Sequence, residues 1–214
     1  MTDESVSAAP TSVPAPSTEP GFSLRFSARD LLSVAIFAVI YFVIVFAVAM
    51  VGIISPLVML LTLPLAPIVA GIPYMLFLTR VKHAGMVTLF GVVVALLLFM
   101  MGHPWQSTVV TIVLSVIAEF VLAAGRYQSK WAAIWAYSVF SVWFIGPWIP
   151  FFIDPVAYVN QNSSMGEQYM QEFAAVVTVP AILVMVAVSV ICGFLGALLG
   201  TALLRKHFRR AGLA

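Results

Sequence analysis

Charged residues are scarce in this sequence. Only 8% of its 214 residues are Asp, Glu, Lys or Arg, while 63% are hydrophobic, and an average soluble domain has about 25% charged residues. Two long stretches, residues 53–79 and 84–118, contain no charged residue at all. A charge content this low excludes a soluble globular domain and predicts an integral membrane protein with several apolar spans.

Cysteine and the common catalytic motifs are also rare or missing. Cys192 is the one cysteine, so no intrachain disulfide can form, and we predict a packing role for it. The chain has no GxxxxGK(S/T) phosphate loop, no HExxH and no GxSxG motif. We therefore expect no enzymatic activity and no intrinsic cofactor. The composition also predicts that the chain is embedded in the lipid bilayer and that it does not bind nucleic acid.

The basic residues orient the chain in the membrane. Arg80-Val81-Lys82-His83 is a short basic break between the two uncharged stretches, and the positive-inside rule places such a loop in the cytoplasm. If the chain has six spans, all eight remaining Lys and Arg residues also fall on the cytoplasmic side. These residues are Arg25, Arg29, Arg126, Lys130, Arg205, Lys206, Arg209 and Arg210.

We thus predict an all-α integral membrane protein with six transmembrane helices, both termini in the cytoplasm. The membrane domain covers residues 25–214, and residues 1–24, rich in Ser, Thr, Pro and Ala, are predicted to be a disordered cytoplasmic tail. The expected spans are about 31–51, 53–79, 86–101, 107–124, 131–153 and 176–204, and residues 154–175 form a long outer loop.

The second span is predicted to be broken near Pro64 and Pro67. Backbone groups freed by proline at membrane depth must be satisfied by neighbouring helices or by a wet cavity. The break therefore has two interpretations, an ordinary proline kink or the wall of a ligand cavity.

Polar and aromatic side chains concentrate on the predicted outer face. An aromatic belt at the membrane interface explains single Trp and Tyr residues, but the cluster as a whole favours a ligand site. The outer face has three acidic residues and no Lys or Arg, which favours a cationic or neutral ligand. The candidate ligand-binding residues are His103, Trp105, Gln106, Trp148, Asp154, Tyr158 and Glu167.

His103 is the one histidine on the predicted outer face, because His83 and His207 lie among cytoplasmic basic residues. Its imidazole has three candidate roles: an axial ligand to haem iron, a hydrogen-bond donor to a ligand, or a cap for the fourth span. Beyond that haem role, we predict no metal site.

Glu119 is the only acidic residue deep within a predicted span, and it lies seven residues before Arg126. An intramembrane carboxylate is costly and is a functional candidate by default. Its position near the inner end favours a structural pair with Arg126 or a contact with a partner protein over a substrate site. A protonated carboxyl is a further alternative.

Several short patterns, in order over residues 25–214, resemble the MptD / Trep-Strep family of energy-coupling-factor (ECF) transporter S components. They are Gly71-Ile-Pro-Tyr-Met-Leu-Phe-Leu-Thr-Arg80-Val-Lys with Gly85-Met86-Val87, then Gly102-His103 with Trp105, Tyr137-Ser-Val-Phe-Ser141 through Trp143 to Gly146, and Lys206-His207-Phe208 with Ala211-Gly212.

The resemblance implies an S-component-like bundle in the bacterial plasma membrane that captures a small nutrient for an ABC-type importer. A transmembrane coupling protein and two ATPase subunits, which consume the ATP, are the implied partners. Haem or another tetrapyrrole, a vitamin-like cation and a metal chelate are the ligands left open. The alternatives to this role are an autonomous secondary transporter or channel, and then an intramembrane enzyme.

Better-known S components pack on the coupling protein through an Ala-x-x-x-Ala face of the first span. Here no strict Ala-x-x-x-Ala occurs in that span, but Ala35 and Ala38 can form a small-residue face. We expect this pair either to contact the coupling protein or to pack within the bundle.

Overall fold

The described part of the chain is entirely helical. The computed structural model describes residues 27–81 and 84–210, with side chains as far as Lys206, and has no strand in these ranges, which confirms the all-α prediction. The predicted disordered tail, residues 1–24, lies outside them. The α-helices are α1 Ala28–Val51, α2 Pro56–Thr62, α3 Ala66–Leu78, α4 Met86–Met100, α5 Trp105–Ala124, α6 Lys130–Phe140, α7 Ile149–Ile153, α8 Pro155–Gln161, α9 Glu167–Val176 and α10 Val179–Arg210.

Five helical segments in the described ranges are long and apolar enough to cross a membrane. They are Ala28–Ile54, Pro56–Leu78, Trp105–Ala124, Lys130–Ile153 and Val179–Lys206. The helix at the remaining predicted span, α4, is apolar but has only 15 residues. That is about 22 Å at 1.5 Å per residue, less than the ~30 Å hydrocarbon core of a bilayer. Six crossings with cytoplasmic termini therefore stay a prediction.

The long helices form a closed ring. Neighbours around it are α1, α4, α5, α6, α10 and α3, and α3 packs again on α1. One end of the ring, the basic end, holds every Lys and Arg whose side chain the structure describes: Arg29, Arg80, Arg126, Lys130, Arg205 and Lys206. The opposite end, the distal end, holds the α4–α5 turn and helices α7 to α9.

The middle of the ring is filled by an aromatic core. Its members, Tyr41, Tyr74, Phe77, Phe90, Tyr137 and Phe140, are all fully buried. The Tyr74 and Tyr137 ring centroids are 4.6 Å apart, and those of Phe77 and Phe90 are 4.9 Å apart. Tilted and stacked contacts of this kind stabilise a core beyond simple area burial. The aromatic core separates the two ends of the bundle.

The predicted break in the second span is confirmed. Helix α2 ends at Thr62, a 3-10 turn covers Leu63–Leu65, and α3 begins at Ala66. Pro64 and Pro67 both lie in this region, where each removes a backbone N–H and disfavours a continuous helix. Similarly, the predicted fifth span changes from α6 to a 3-10 segment, Ser141–Trp148, before α7.

The expected outer loop, residues 154–175, is not an irregular loop. It forms α8 and α9 with a 3-10 turn between them, and α10 begins only at Val179. The rings of Phe151, Tyr158 and Phe173 pack together, with centroids 5.2–5.6 Å apart. The Tyr169 hydroxyl donates to Gly52 O at 3.2 Å. These apolar contacts explain why the segment folds against the bundle.

Helices α3 and α10 approach each other through glycine. A Cβ added at Gly196 would lie 2.2 Å from Pro67 O, and one added at Gly71 would lie 2.5 Å from the Gly196 carbonyl carbon. Gly196 and Gly200 form a GxxxG spacing, which allows close backbone approach in membranes. Cys192 is buried on the same helix, in keeping with a packing role.

We predict that Gly196→Val destabilises the fold, because the new side chain would overlap the α3 backbone rather than a flexible side chain. Overpacking of this kind costs about 1–3 kcal/mol. Thermal unfolding in detergent, followed by circular dichroism, measures the effect. Ala202→Val, on an exposed position of α10, is the matched control and should change the midpoint little; equal midpoints for the two variants would contradict the prediction.

Candidate functional site

A cavity of about 280 Å³ opens at the distal end of the bundle. It lies between the ends of α1 and α2, the α4–α5 turn, the 3-10 segment Ser141–Trp148 and α8. Of the described residues that line it, none is Asp, Glu, Lys or Arg. The lining of this distal cavity is Ala49, Met59, Leu63, Met101, Gly102, His103, Pro104, Trp143, Phe144, Pro147, Trp148, Tyr158 and Asn162.

The α4–α5 turn presents His103 to this cavity. Gly102 has a φ of 91°, a left-handed conformation that glycine adopts without steric cost. The backbone N–H of His103 then donates to Leu98 O at 3.1 Å, and Pro104 begins α5 as its N-cap residue. Two helix ends thus fix the position of one imidazole.

The aromatic wall of the distal cavity is anchored in the bundle. The Trp143 and Phe144 rings stack with centroids 4.3 Å apart. The Trp143 Nε1–H donates to the Tyr41 hydroxyl at 3.0 Å, which ties the wall to the aromatic core. A buried Trp whose N–H is satisfied is held in one orientation.

Three predicted ligand-binding residues, His103, Trp148 and Tyr158, line the distal cavity together. Trp148 is only 3% exposed, so it is part of the wall and not of an interfacial belt. Met59 and Leu63 come from the proline-broken segment, so that segment forms part of the cavity wall.

Trp105, Gln106 and Asp154 lie in an adjoining pocket of about 300 Å³, which shares Pro104 and Tyr158 with the distal cavity. Asp154 is exposed, and its Oδ1 accepts from the Ala157 N–H at 2.9 Å as the N-cap of α8. Trp105 is 63% exposed. These three residues therefore flank the distal cavity without lining it.

Glu167 lies elsewhere. It lines a third pocket with Met170 and Ala174, among others, and its Oε1 accepts from the Gln171 side chain at 3.1 Å on the exposed face of α9. The structure does not bring Glu167 to the distal cavity.

Sequence reasoning missed the apolar part of the lining. Met59, Leu63, Met101 and Phe144 carry no polar group, so nothing in the sequence separates them from residues that face the core or lipid. The break in the second span was the one available signal for Met59 and Leu63.

The polar groups of the distal cavity are neutral. Burial lowers the pKa of the His103 imidazole below its ordinary value of 6.5, and the nearby Leu98 carbonyl opposes this only in part. Burial raises the pKa of Tyr158 to about 12, so its hydroxyl keeps its proton. Among the described residues, no group of three or more His, Cys, Asp or Glu side chains could hold a metal ion.

Glu119 has a different partner from the one predicted. Its carboxylate accepts hydrogen bonds from the backbone N–H groups of Gly85, Val87 and Thr88 at 2.9–3.0 Å and from the Tyr127 hydroxyl at 2.6 Å. No ion pair with Arg126 is present among the described residues. Glu119 thus caps the N-terminus of α4, where unpaired amides and the helix dipole favour a carboxylate.

The turn between α5 and α6 places the Tyr127 hydroxyl on that carboxylate. Arg126 and Tyr127 have φ values of 51° and 56°, a left-handed conformation that is uncommon for side chains of this size. The pKa of Tyr127 is raised mainly by burial and, to a smaller extent, by the hydrogen bond to Glu119. The hydrogen bond offsets part of the cost of this strained turn.

The two alanines of the first span point in different directions. Ala38 is 0% exposed and packs within the bundle, whereas Ala35 is exposed on α1. In this structure the pair does not form one outward face, so only Ala35 is available to a partner.

Within the described ranges, five helical segments are long enough to span a membrane, and the helices close into a ring with a cavity at one end. This is the architecture of a polytopic membrane protein. The chain belongs to the Trep_Strep family, described as hypothetical bacterial integral membrane proteins, whose model matches residues 28–210. No curated protein and no solved structure matches the chain.

We predict that Glu119→Ala lowers the free energy of unfolding by more than about 1 kcal/mol. One buried donor left unpaired costs about 1–3 kcal/mol, and this substitution removes the acceptor of several donors. Tyr127→Phe, which removes one donor, should cost about 1 kcal/mol. Denaturant titration in detergent measures both. The exposed Glu172→Ala is the control, and a Glu119→Ala variant as stable as that control would contradict the capping role.

We also predict that His103 makes stability depend on pH. The pKa of His103 is lower in the folded protein than in the unfolded chain, where it is about 6.5. Between these two values the unfolded chain therefore binds more protons than the folded protein, so lowering the pH favours unfolding. The unfolding midpoint of the wild type should therefore fall further between pH 7.5 and pH 5.5 than that of His103→Gln. The same fall in both proteins would show that His103 does not contribute.

Proposed function

We propose that the chain is the membrane-embedded substrate-binding (S) subunit of an energy-coupling-factor importer. The observation that carries this proposal is the distal cavity: a small, aromatic-walled pocket at the end of the bundle opposite the basic end, lined by three residues expected to bind ligand. Pockets of this kind, largely apolar with a few placed polar groups, are typical of small-molecule sites.

In this proposal the basic end faces the cytoplasm of a bacterial cell and the distal cavity faces outward across the plasma membrane. The six described Lys and Arg side chains at one end support this orientation through the positive-inside rule. Six spans place both termini in the cytoplasm. The cavity is then positioned to capture a nutrient from outside.

Release of the nutrient to the inside requires partners. The aromatic core separates the distal cavity from the basic end, so a ligand has no direct route through the ring, and the sequence has no phosphate loop of its own. A transmembrane coupling protein and two ATPase subunits would supply the energy. The chain itself would bind ligand and catalyse no reaction.

The outward face of α1 is the proposed contact with the coupling protein. Ala35 is exposed there beside the apolar side chains of Leu31, Leu32, Ile36 and Val39. A small residue within an apolar helix face lets a second helix approach closely. Glu119 takes no part in this contact, because its carboxylate is occupied by α4 and Tyr127.

A second candidate function is an autonomous secondary transporter. A pocket of about 220 Å³ at the basic end, lined in part by Thr79, Gln128 and Lys130, faces the opposite way from the distal cavity. A pocket on each side of the core is a starting point for alternating access, in which one central site opens to each side in turn. The described helices offer no pair of intramembrane carboxylates for ion coupling, however, and the importer subunit is the better-supported function.

The family resemblance leaves three classes of nutrient open: haem or another tetrapyrrole, with His103 as an iron ligand; a vitamin-like cation; and a metal chelate. They differ in size and charge, and the distal cavity fits them unequally.

We predict that the tagged protein, purified in mild detergent from a native host, retains a coupling protein and two ATPases. Ala35→Trp should reduce their recovery several-fold, because the indole would block close helix approach. Ala187→Trp, on an exposed position of α10, is the matched control and should leave recovery unchanged. Mass spectrometry of the purified complex quantifies each subunit.

Nutrient uptake by vesicles that contain only this chain, without any ATPase, would count against the importer subunit and in favour of the secondary transporter. If Ala35→Trp and Ala187→Trp reduced the recovery of the coupling protein and ATPases equally, the proposed contact between α1 and the coupling protein would be wrong.

A further inference from the structure

We propose that the distal cavity binds an uncharged, planar aromatic or heteroaromatic molecule of one or two rings. This inference rests on the proposed function in one respect only, that the distal cavity is the ligand site. It is drawn from the charge, shape, polar groups and size of that cavity.

The cavity offers no partner for a charged ligand. None of its described lining residues is ionised at neutral pH, and burying an unpaired charge is far more costly than burying a neutral polar group. The two acidic residues that the sequence predicted to bind ligand do not line the cavity: Asp154 caps α8 in the adjoining pocket, and Glu167 lines a separate pocket on α9. A cationic ligand would therefore enter without a counter-charge.

The walls of the cavity suit a flat ring. Trp143 and Phe144 are stacked on each other with centroids 4.3 Å apart, and Trp148 and Tyr158 add two further aromatic rings to the lining. Pairs of aromatic rings in offset-stacked or edge-to-face arrangements gain stability beyond the burial of their area. A planar ligand can satisfy several of these faces at once.

A few polar groups can read the edge of such a ring. The Asn162 Nδ2 donates to Tyr158 O at 2.8 Å, and this bond holds the side-chain amide in place. The Asn162 Oδ1 accepts no hydrogen bond from the described part of the chain, so this oxygen is open to a donor on a ligand. The Tyr158 hydroxyl and the His103 imidazole also contribute to the lining. These groups match ring N–H, carbonyl or amide substituents.

The size of the cavity limits the number of rings. Its volume of about 280 Å³ is at the lower limit of small-molecule pockets, which run from about 300 to 1,000 Å³. A tetrapyrrole macrocycle is larger than this volume, which argues against a haem bound wholly within the cavity at His103. A metal chelate with a net charge is disfavoured as well, because no Asp, Glu, Lys or Arg is among the described residues that line the cavity.

A matched set of probes tests the charge preference. The purified protein in detergent is titrated with 2-naphthamide, 2-naphthoate and the 2-naphthamidinium cation, which share one ring system, and binding is followed by tryptophan fluorescence and by calorimetry. We expect the neutral amide to bind at least tenfold more tightly than either ion. Haemin, added as a fourth probe, should not bind with one-to-one stoichiometry.

Variants locate the binding. Asn162→Ala should weaken binding of the amide by about 2- to 12-fold, the range of one net hydrogen bond of about 0.5–1.5 kcal/mol, and Trp148→Leu should weaken it further through lost stacking. Glu167→Gln, in the separate pocket, should leave affinity unchanged and serves as the control.

Tighter binding of either ion, equal affinity for all three naphthyl probes, or no binding of the amide up to its solubility limit would each overturn the inference. Binding that is unaffected by both Asn162→Ala and Trp148→Leu would overturn the location. Recovery of the coupling protein and ATPases is measured without these probes, so failure here with an intact complex leaves the importer proposal in place, and the reverse also holds.

Discussion

The absence of water inside a bilayer is the constraint on which the rest of this structure depends. Every backbone carbonyl freed by a helix break must find a donor within the protein. Tyr169 donates to Gly52 O, whose helical donor would be Pro56, a residue without an N–H. Close to the other breaks, Tyr137 donates to Pro67 O at 2.7 Å and the Ser141 hydroxyl lies 3.0 Å from Ser189 O. These bonds join different helices at the places where helical geometry is interrupted. The broken segments are therefore tied into the ring instead of being left loose.

The same interruptions create the distal cavity. A continuous helix through the second span would present one uniform face, whereas the break at Leu63–Leu65 and the 3-10 segment Ser141–Trp148 let Met59, Leu63, Trp143 and Trp148 converge on one space. The aromatic core below is rigid and closed. A cavity above a closed core can bind and release a molecule from one side only.

Much of the architecture could be predicted from the sequence, because apolar length and the placement of basic residues act over whole segments. The break at Pro64 and Pro67 was predictable because proline cannot donate to a helix. Of the predicted ligand residues, His103, Trp148 and Tyr158 were brought together, but Glu167 was not, since its position depends on how α8 and α9 fold. Residues 154–175 were expected to be a loop, but they form helices α8 and α9. Packing of Phe151, Tyr158 and Phe173 stabilises these helices, and a local sequence pattern does not indicate contacts between residues this far apart in the chain.

Glu119 illustrates the same limit. Spacing along one helix suggested Arg126 as its partner, but the carboxylate instead reaches the amides of the neighbouring helix, more than thirty residues earlier in the chain.

The unequal lengths of the helices have a consequence for the surrounding lipid. Helix α4 is about 22 Å long and α10, with 32 residues, is about 48 Å long, yet both belong to one ring. If both cross the same membrane, hydrophobic mismatch has opposite signs on the two sides of the protein, so that lipids beside α4 must thin while α10 tilts or extends into the headgroups. The bilayer is then thinner beside α4 than beside α10, and the protein is surrounded by lipid of uneven thickness.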